Sequence, residues 1–154
     1  MAKAGKLLQL AIDKLVIEDV YPKSQRASCA DDFDPKYADW SELKVQQMHA
    51  VRKTELLKVE GDGCLARIHI TLGARWVDLV SDEGSEVKAF IEANFVAEYR
   101  LHDELEQAAL DEFALKNASY HVWPYWRELL SSHCDRLRLP RITLPAVQFS
   151  KQTK

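Results

Sequence analysis

Residues 87–101 read VKAFIEANFVAEYRL, and the alternation in this stretch decides the fold. Val87, Ala89, Ile91, Ala93, Phe95, Ala97, Tyr99 and Leu101 share one parity, while Lys88, Glu92, Asn94, Glu98 and Arg100 share the other. A period of two sends successive side chains to opposite faces of a strand, so one face here is packed and the other partly wet. Upstream, Ser81 to Ser85 reads as a turn. Before it, Ile68, Ile70, Leu72, Ala74 and Trp76 alternate with Arg67, His69, Thr71 and Arg75. Gly61-Asp62-Gly63 is a second turn, preceded by a weaker alternating run, Leu43-Val45-Gln47-His49-Val51, that Leu56 to Glu60 extends. Further back, Ser24 to Asp39 is polar and contains Pro35, which reads as a loop, although Tyr37 and Trp40 near its end are unusual loop residues. From Leu8 to Tyr21 the apolar positions Leu8-Leu10-Ile12 change parity to Leu15-Ile17, which predicts a strand with a bulge near Asp13.

Downstream of residue 101 the pattern changes to helix. DELEQAALDEFAL, from Asp103, is rich in helix formers and has acids in its first turn, where the helix dipole favours them. Asn117 and Ser119 are candidate N-caps for a second helix running to about Leu137, with Val122, Trp126, Leu129 or Leu130, His133 and Leu137 as its buried stripe. Pro124 must then lie near the first turn or kink the helix. Pro140 and Pro145 end regular structure. The expectation is an α+β fold, a four-stranded antiparallel sheet followed by two helices. One domain covers residues 1–149, and a polar tail covers 150–154.

Composition narrows the function. The chain has 154 residues, 47% of them hydrophobic, with 21 Lys+Arg against 24 Asp+Glu and a net charge of -3. That length suits one folded domain, and 5 Gly and 5 Pro are too few for a disordered or low-complexity chain. The near-balanced charge argues against nucleic acid, which needs a net basic surface. Arg127, Arg136, Arg138 and Arg141 beside aromatic residues read more simply as cations near a helix C-terminus. No secretory signal is expected from the first residues, where Asp13 interrupts the short apolar segment Leu7 to Ile12, and no apolar stretch comes near the roughly 20 residues that span a bilayer. Cys29, Cys64 and Cys134 form no CxxC pair and read as reduced thiols of a cytoplasmic protein.

Catalytic chemistry finds little support. Ser132-His133-Cys134-Asp135 lie consecutively on a helix, where neighbours point about 100° apart and cannot converge into a triad. The histidines show no metal-ligand spacing, and no glycine-rich phosphate loop is present, so no cofactor is expected. A small-ligand or catalytic α+β domain, assembled from residues joined only by folding, stands as the alternative of another class.

One region is more specific. KNASYHVWPYWRELLSSHCDRLRLPRITLPAVQF, Lys116 to Phe149, closely resembles the C-terminal portion of the SecB family of export chaperones. The resemblance rests on Asn117, on Pro124-Tyr125-Trp126-Arg127-Glu128, on Leu139-Pro140, and on Pro145 to Phe149. Upstream, Asp39-Trp40 followed by Glu42-Leu43-Lys44-Val45 looks like the family's crossover loop entering its second strand. The resemblance implies an ATP-independent holdase that binds non-native polypeptide clients in long hydrophobic grooves. It also implies a cytoplasmic homotetramer, a dimer of dimers, with a dimer as the alternative. By the same likeness the crossover loop and the second helix line the groove. This makes Tyr37, Trp40, Leu43, Trp123, Trp126, Leu129 and Leu130 the candidate client-binding residues, although Trp126, Leu129 and Leu130 also fit a core.

The departures from the pattern bear on partners. SecB proteins dock the export motor SecA through acidic residues on the sheet. Asp19 matches one of these, whereas Lys23 and Ala93 occupy other positions, and the C-terminus is the basic SKQTK. SecB-like proteins without clear docking features include chaperones that protect the antitoxin of a toxin–antitoxin system, which gives the second client reading. The helix expected at the dimer–dimer contact carries Asp103, Glu104, Glu106, Asp111 and Glu112 and no base, so symmetry would bring like charges together unless they stay on the rim.

Overall fold

The computed structural model describes residues 2–59, 61, 63–79, 86–142 and 144. In chain order the elements are α1 (Ala2–Lys14), β1 (Val16–Cys29), β2 (Leu43–Lys58), β3 (Cys64–Asp78), β4 (Glu86–Leu101), α2 (Gln107–Lys116) and α3 (Ala118–Leu137). The strands form one antiparallel sheet in the order β1-β4-β3-β2. The sheet and the two closing helices match expectation, and β4 differs by one residue from the opening reading. Gly61 sits in the turn between β2 and β3 at φ 96, a conformation that costs little without a Cβ. The turn expected over 81–85 lies outside the described residues, as do Pro145 to Phe149 and the tail.

The N-terminal reading is corrected. Residues 2–14 form a helix, not the first part of a strand. The decisive spacing is Leu7, Leu8, Ala11 and Leu15, a helical stripe that packs into the core, while Leu10 and Ile12 are left 44% and 42% exposed. Gln9 donates to Asp13 one turn on, at 2.8 Å, and the Leu15 N–H closes the helix on the Ala11 carbonyl at 2.9 Å. Short-range alternation was therefore accidental, and no bulge exists at Asp13. The register shifts in β1 fall instead between Ile17 and Asp19 and between Pro22 and Ser24. The loop reading of Ser24 to Asp39 is also too long, because β1 continues to Cys29 opposite Ala89. An edge strand wet on its open face can be polar and still complete a ladder.

Helix boundaries shift for a similar reason. Residues 103–106 precede α2, and the Lys14 ammonium takes the Glu104 carbonyl at 2.8 Å, tying that segment to the end of α1. Asn117 stands at the N-cap of α3 without a side-chain cap bond, and Pro124 lies inside the helix in its second turn, past the first-turn position that was one of its two expected places.

The sheet has two unlike faces. Facing the helices are Ala66, Ile68, Ile70, Leu72, Ala74 and Trp76 of β3, paired with Tyr99, Ala97, Phe95, Ala93, Ile91 and Ala89 of β4. Trp123, Trp126, Leu129, Leu130 and Cys134 of α3, with Leu110 and Phe113 of α2, complete this core. The other face carries Arg67, His69, Thr71, Gly73 and Arg75 against Glu98, Val96, Asn94, Glu92 and Phe90, with no helix above it among the described residues. No helix among the described residues is long and apolar enough to cross a membrane.

Candidate functional site

Because β1 and β2 occupy opposite edges, residues 30–42 must cross the sheet, a span of about 14 Å at the usual strand spacing. The crossing runs past the ends of the two central strands. It is pinned at one side by the Ala30 N–H on the Lys88 carbonyl, at 2.8 Å. Inside it, Asp34 Oδ1 accepts the Lys36 N–H at 3.2 Å, and the Asp34 carbonyl accepts the Tyr37 N–H at 3.3 Å. Asp39 then caps the single 3-10 turn Trp40–Glu42, accepting from the Ser41 N–H at 3.0 Å and the Ser41 hydroxyl at 2.7 Å. These two bonds to the charged form hold the Asp39 carboxyl below its ordinary pKa.

The cap fixes the orientation of Trp40. Its indole is half-buried, edge-on to Phe33 with ring centroids 5.3 Å apart and to Trp76 at 6.5 Å. Trp76 is fully buried, and its indole N–H has no hydrogen-bond partner among the described residues. A buried polar group without a partner costs free energy. On its outer side Trp40 borders a cleft of about 400 Å³, together with Pro35, Lys36, Cys134, Asp135, Arg138, Leu139 and Pro140. The far wall is the C-terminal end of α3. Here Arg138 turns the chain in the left-handed conformation, φ 59, and the Leu139 N–H returns to the Cys134 carbonyl at 2.9 Å.

The structure treats the candidate residues unequally. Trp40 lines the cleft. Tyr37 stands beside it, 77% exposed, with the Lys36 ammonium 5.3 Å from its ring centre. Leu43 is half-buried where β2 begins. Trp123, Trp126, Leu129 and Leu130 are at most 5% exposed and pack in the core of this chain, the alternative that the sequence left open for Trp126, Leu129 and Leu130. An α3 stripe that meets the sheet cannot also meet solvent. Asp19 is exposed on the open face, opposite Glu98. The sequence reading missed Phe33, although an aromatic residue in a polar segment was the same signal that marked Tyr37 and Trp40.

No catalytic arrangement emerges from the four residues on α3. His133 points its Nδ1 to the Leu129 carbonyl of its own helix, at 2.9 Å, and burial pushes the Cys134 thiol above its ordinary pKa, which lowers its thiolate fraction. Among the described residues no three His, Cys, Asp or Glu groups are placed to hold a metal.

No protein-family model matches the chain, and no curated protein matches it in sequence. Similarity is found among solved structures. The Mycobacterium tuberculosis Rv1957 SecB-like chaperone, in complex with a ChAD peptide from the Rv1956 HigA1 antitoxin, superposes with a TM-score of 0.69. The two are 16% identical, and the match covers 93% of this chain and 98% of that one. A protein of unknown function from Streptococcus agalactiae gives a TM-score of 0.41 at 11% identity, over 86% of this chain and 97% of that one. The chain therefore has a SecB-like fold.

Proposed function

We propose that this protein is an ATP-independent holdase, binding non-native polypeptides along the cleft between the crossing segment and the end of α3. The observation that carries the reading is the placement of Tyr37 and Trp40: large aromatic surface is left partly in water by a segment with its own hydrogen-bonded framework. A holdase works by mass action, since it binds the unfolded state of a client and not the native one. Each client side chain that covers apolar surface gains roughly 25 cal/mol per Å², without demanding a particular sequence. Residues 1–149 then act as one cytoplasmic chaperone domain with 150–154 as its polar tail, a binding protein and not an enzyme.

Two client readings are carried forward. In the first, clients are kept unfolded for export, and the motor SecA would meet the open sheet face near Asp19. In the second, the client is an antitoxin; the SecB-like neighbour's complex with an antitoxin peptide supports this one. Both use the same cleft. A homotetramer multiplies weak cleft contacts through effective concentration, which suits a holdase.

The test is suppression of aggregation of a chemically unfolded protein, without nucleotide, at near-stoichiometric ratios. Trp40→Ala should lose most of the protection. Protection by neither the wild type nor the variant would reject the holdase reading.

A further inference from the structure

The open face of the sheet is not uniform. Toward the β2–β3 turn its charges are matched: Arg67 donates to Glu98 at 2.6 Å, His69 pairs with Glu55 at 2.6 Å, and Arg100 takes both oxygens of Glu18 at 3.0 Å. Toward the crossing segment the balance changes. Gly73 is the only residue on this face of β3 without a side chain, and it lies between Met48 of β2 and Glu92 of β4. Around it lies a hollow of about 570 Å³, lined in part by Gln46, Met48, Arg75, Phe90 and Glu92. A second hollow of about 420 Å³ adjoins it, sharing Arg75, Phe90 and Glu92 and adding Arg26 and Lys88. Glycine inside a strand weakens it and can mark a close approach, here that of the Met48 side chain, whose Cε lies 3.3 Å from where a Cβ would stand.

The cations around this trough exceed the acids. Glu92 is held by Arg26 at 3.5 Å, and Lys88 by Asp32 and Glu86 at 3.2 Å each. Arg52 is the extra residue of the β2 bulge, and it donates to the Thr71 hydroxyl at 3.1 Å, a neutral acceptor. Arg75 donates to the Gln46 amide oxygen at 2.8 Å, also neutral. Neither guanidinium has a carboxylate partner among the described residues. Both flank an apolar floor made by Met48 and Phe90.

We propose that this trough docks an acidic segment of a partner protein, with one apolar side chain seated over Gly73 and carboxylates meeting Arg52 and Arg75. The site lies on the opposite side of the sheet from the helices and does not involve Trp40, so it is independent of the client cleft. Guanidinium groups pair planar carboxylates through two donors, and the present bonds of these two go to neutral acceptors, Arg52 to the Thr71 hydroxyl and the Met48 sulfur and Arg75 to the Gln46 amide oxygen. The open shape suits an extended chain and not an enclosed small molecule.

The test uses fluorescence polarisation with two labelled synthetic peptides, one alternating Asp and Glu around a central Leu, the other with Lys at the same positions. The acidic peptide should bind at low salt and weaken with about 0.5 M salt, where screening shortens to a few ångströms. The lysine peptide should bind at least about tenfold more weakly, as expected when like charges face each other. Gly73→Val intrudes on the hollow; its Cβ would press on the end of the flexible Met48 side chain, Cε at 3.3 Å, and meet the Ile91 carbonyl oxygen at an ordinary 3.6 Å, and valine suits a strand. Gly73→Val and Arg75→Glu should each lose about tenfold or more in acidic-peptide affinity, the scale of a lost central contact. Both variants should keep the wild-type melting temperature and aggregation suppression. Equal binding of the two peptides, no binding of the acidic one, or unchanged affinity in both variants would overturn the proposal. Loss of aggregation suppression in the wild type would instead count against the client cleft alone.

Discussion

At the residue scale, Trp40 and Tyr37 separate binding from stability. Tyr37 is so exposed that Tyr37→Ala should move stability by less than about 0.5 kcal/mol while weakening client capture. Trp40 contributes edge-on ring contacts to Phe33 and Trp76 as well, so Trp40→Ala should cost about 1–2 kcal/mol in addition to its effect on clients. Denaturant titration beside the aggregation assay distinguishes them; a loss above about 4 kcal/mol for Trp40→Ala would make it a core residue. Arg138 offers an independent check. A non-glycine residue held at φ 59 carries strain that glycine avoids, so Arg138→Gly should stabilise the protein by about 1 kcal/mol, read as a higher denaturant midpoint. The substitution also removes a cation from the cleft wall.

At the scale of elements, α3 is held to the sheet by polar as well as apolar contacts. The Tyr99 phenol bonds His121 Nδ1 at 2.7 Å, and His49 bonds the buried Ser119 hydroxyl at 2.6 Å. Burial pushes the Tyr99 phenol upward and the His121 imidazole below its ordinary value. A histidine depressed in the folded state binds protons more readily when unfolded. Its contribution is therefore complete above the unfolded value of about 6.5 and declines as pH falls through the folded one. The melting temperature should accordingly fall as pH drops below about 6.5, and His121→Gln should flatten that slope. An unchanged slope would show that α3 docking is insensitive to this imidazole. The acids of α2 are partly accounted for in the same way: Asp111 accepts from Thr54 of β2 at 2.7 Å and from Gln107 at 2.9 Å.

At the scale of the whole molecule, the chain leaves several apolar groups uncovered. Leu10 and Ile12 of α1, Val16 and Ile17 at the start of β1, and Leu115 of α2 are all exposed. A homotetramer, as proposed, would cover such groups while keeping the acids of α2 on the rim, where like-charge contact is screened. Light scattering at low and high salt should give a tetramer mass at both, with any dissociation favoured at low salt. A monomer under both conditions would remove the assembly and weaken the holdase reading with it.

The sequence by itself determined β3, β4 and the two closing helices, and β2 only through a weaker alternation. In these segments the pattern of apolar residues has a single period, and burial of one face enforces it. It also marked Tyr37 and Trp40, because a large aromatic residue in a polar segment has no local explanation. Only the tertiary structure decided three other matters. The segment before Lys14 became a helix because Leu7, Leu8, Ala11 and Leu15 had a core to pack against, a fact that local alternation cannot contain. Trp126 and Leu130 went inside and Trp40 stayed at the boundary because the crossing segment and α3 meet at only one end of the sheet. The trough around Gly73 exists because three strands set Met48 opposite Gly73 and Phe90 opposite Arg75, and a residue's neighbours across a sheet are set by pairing, not by position along the chain.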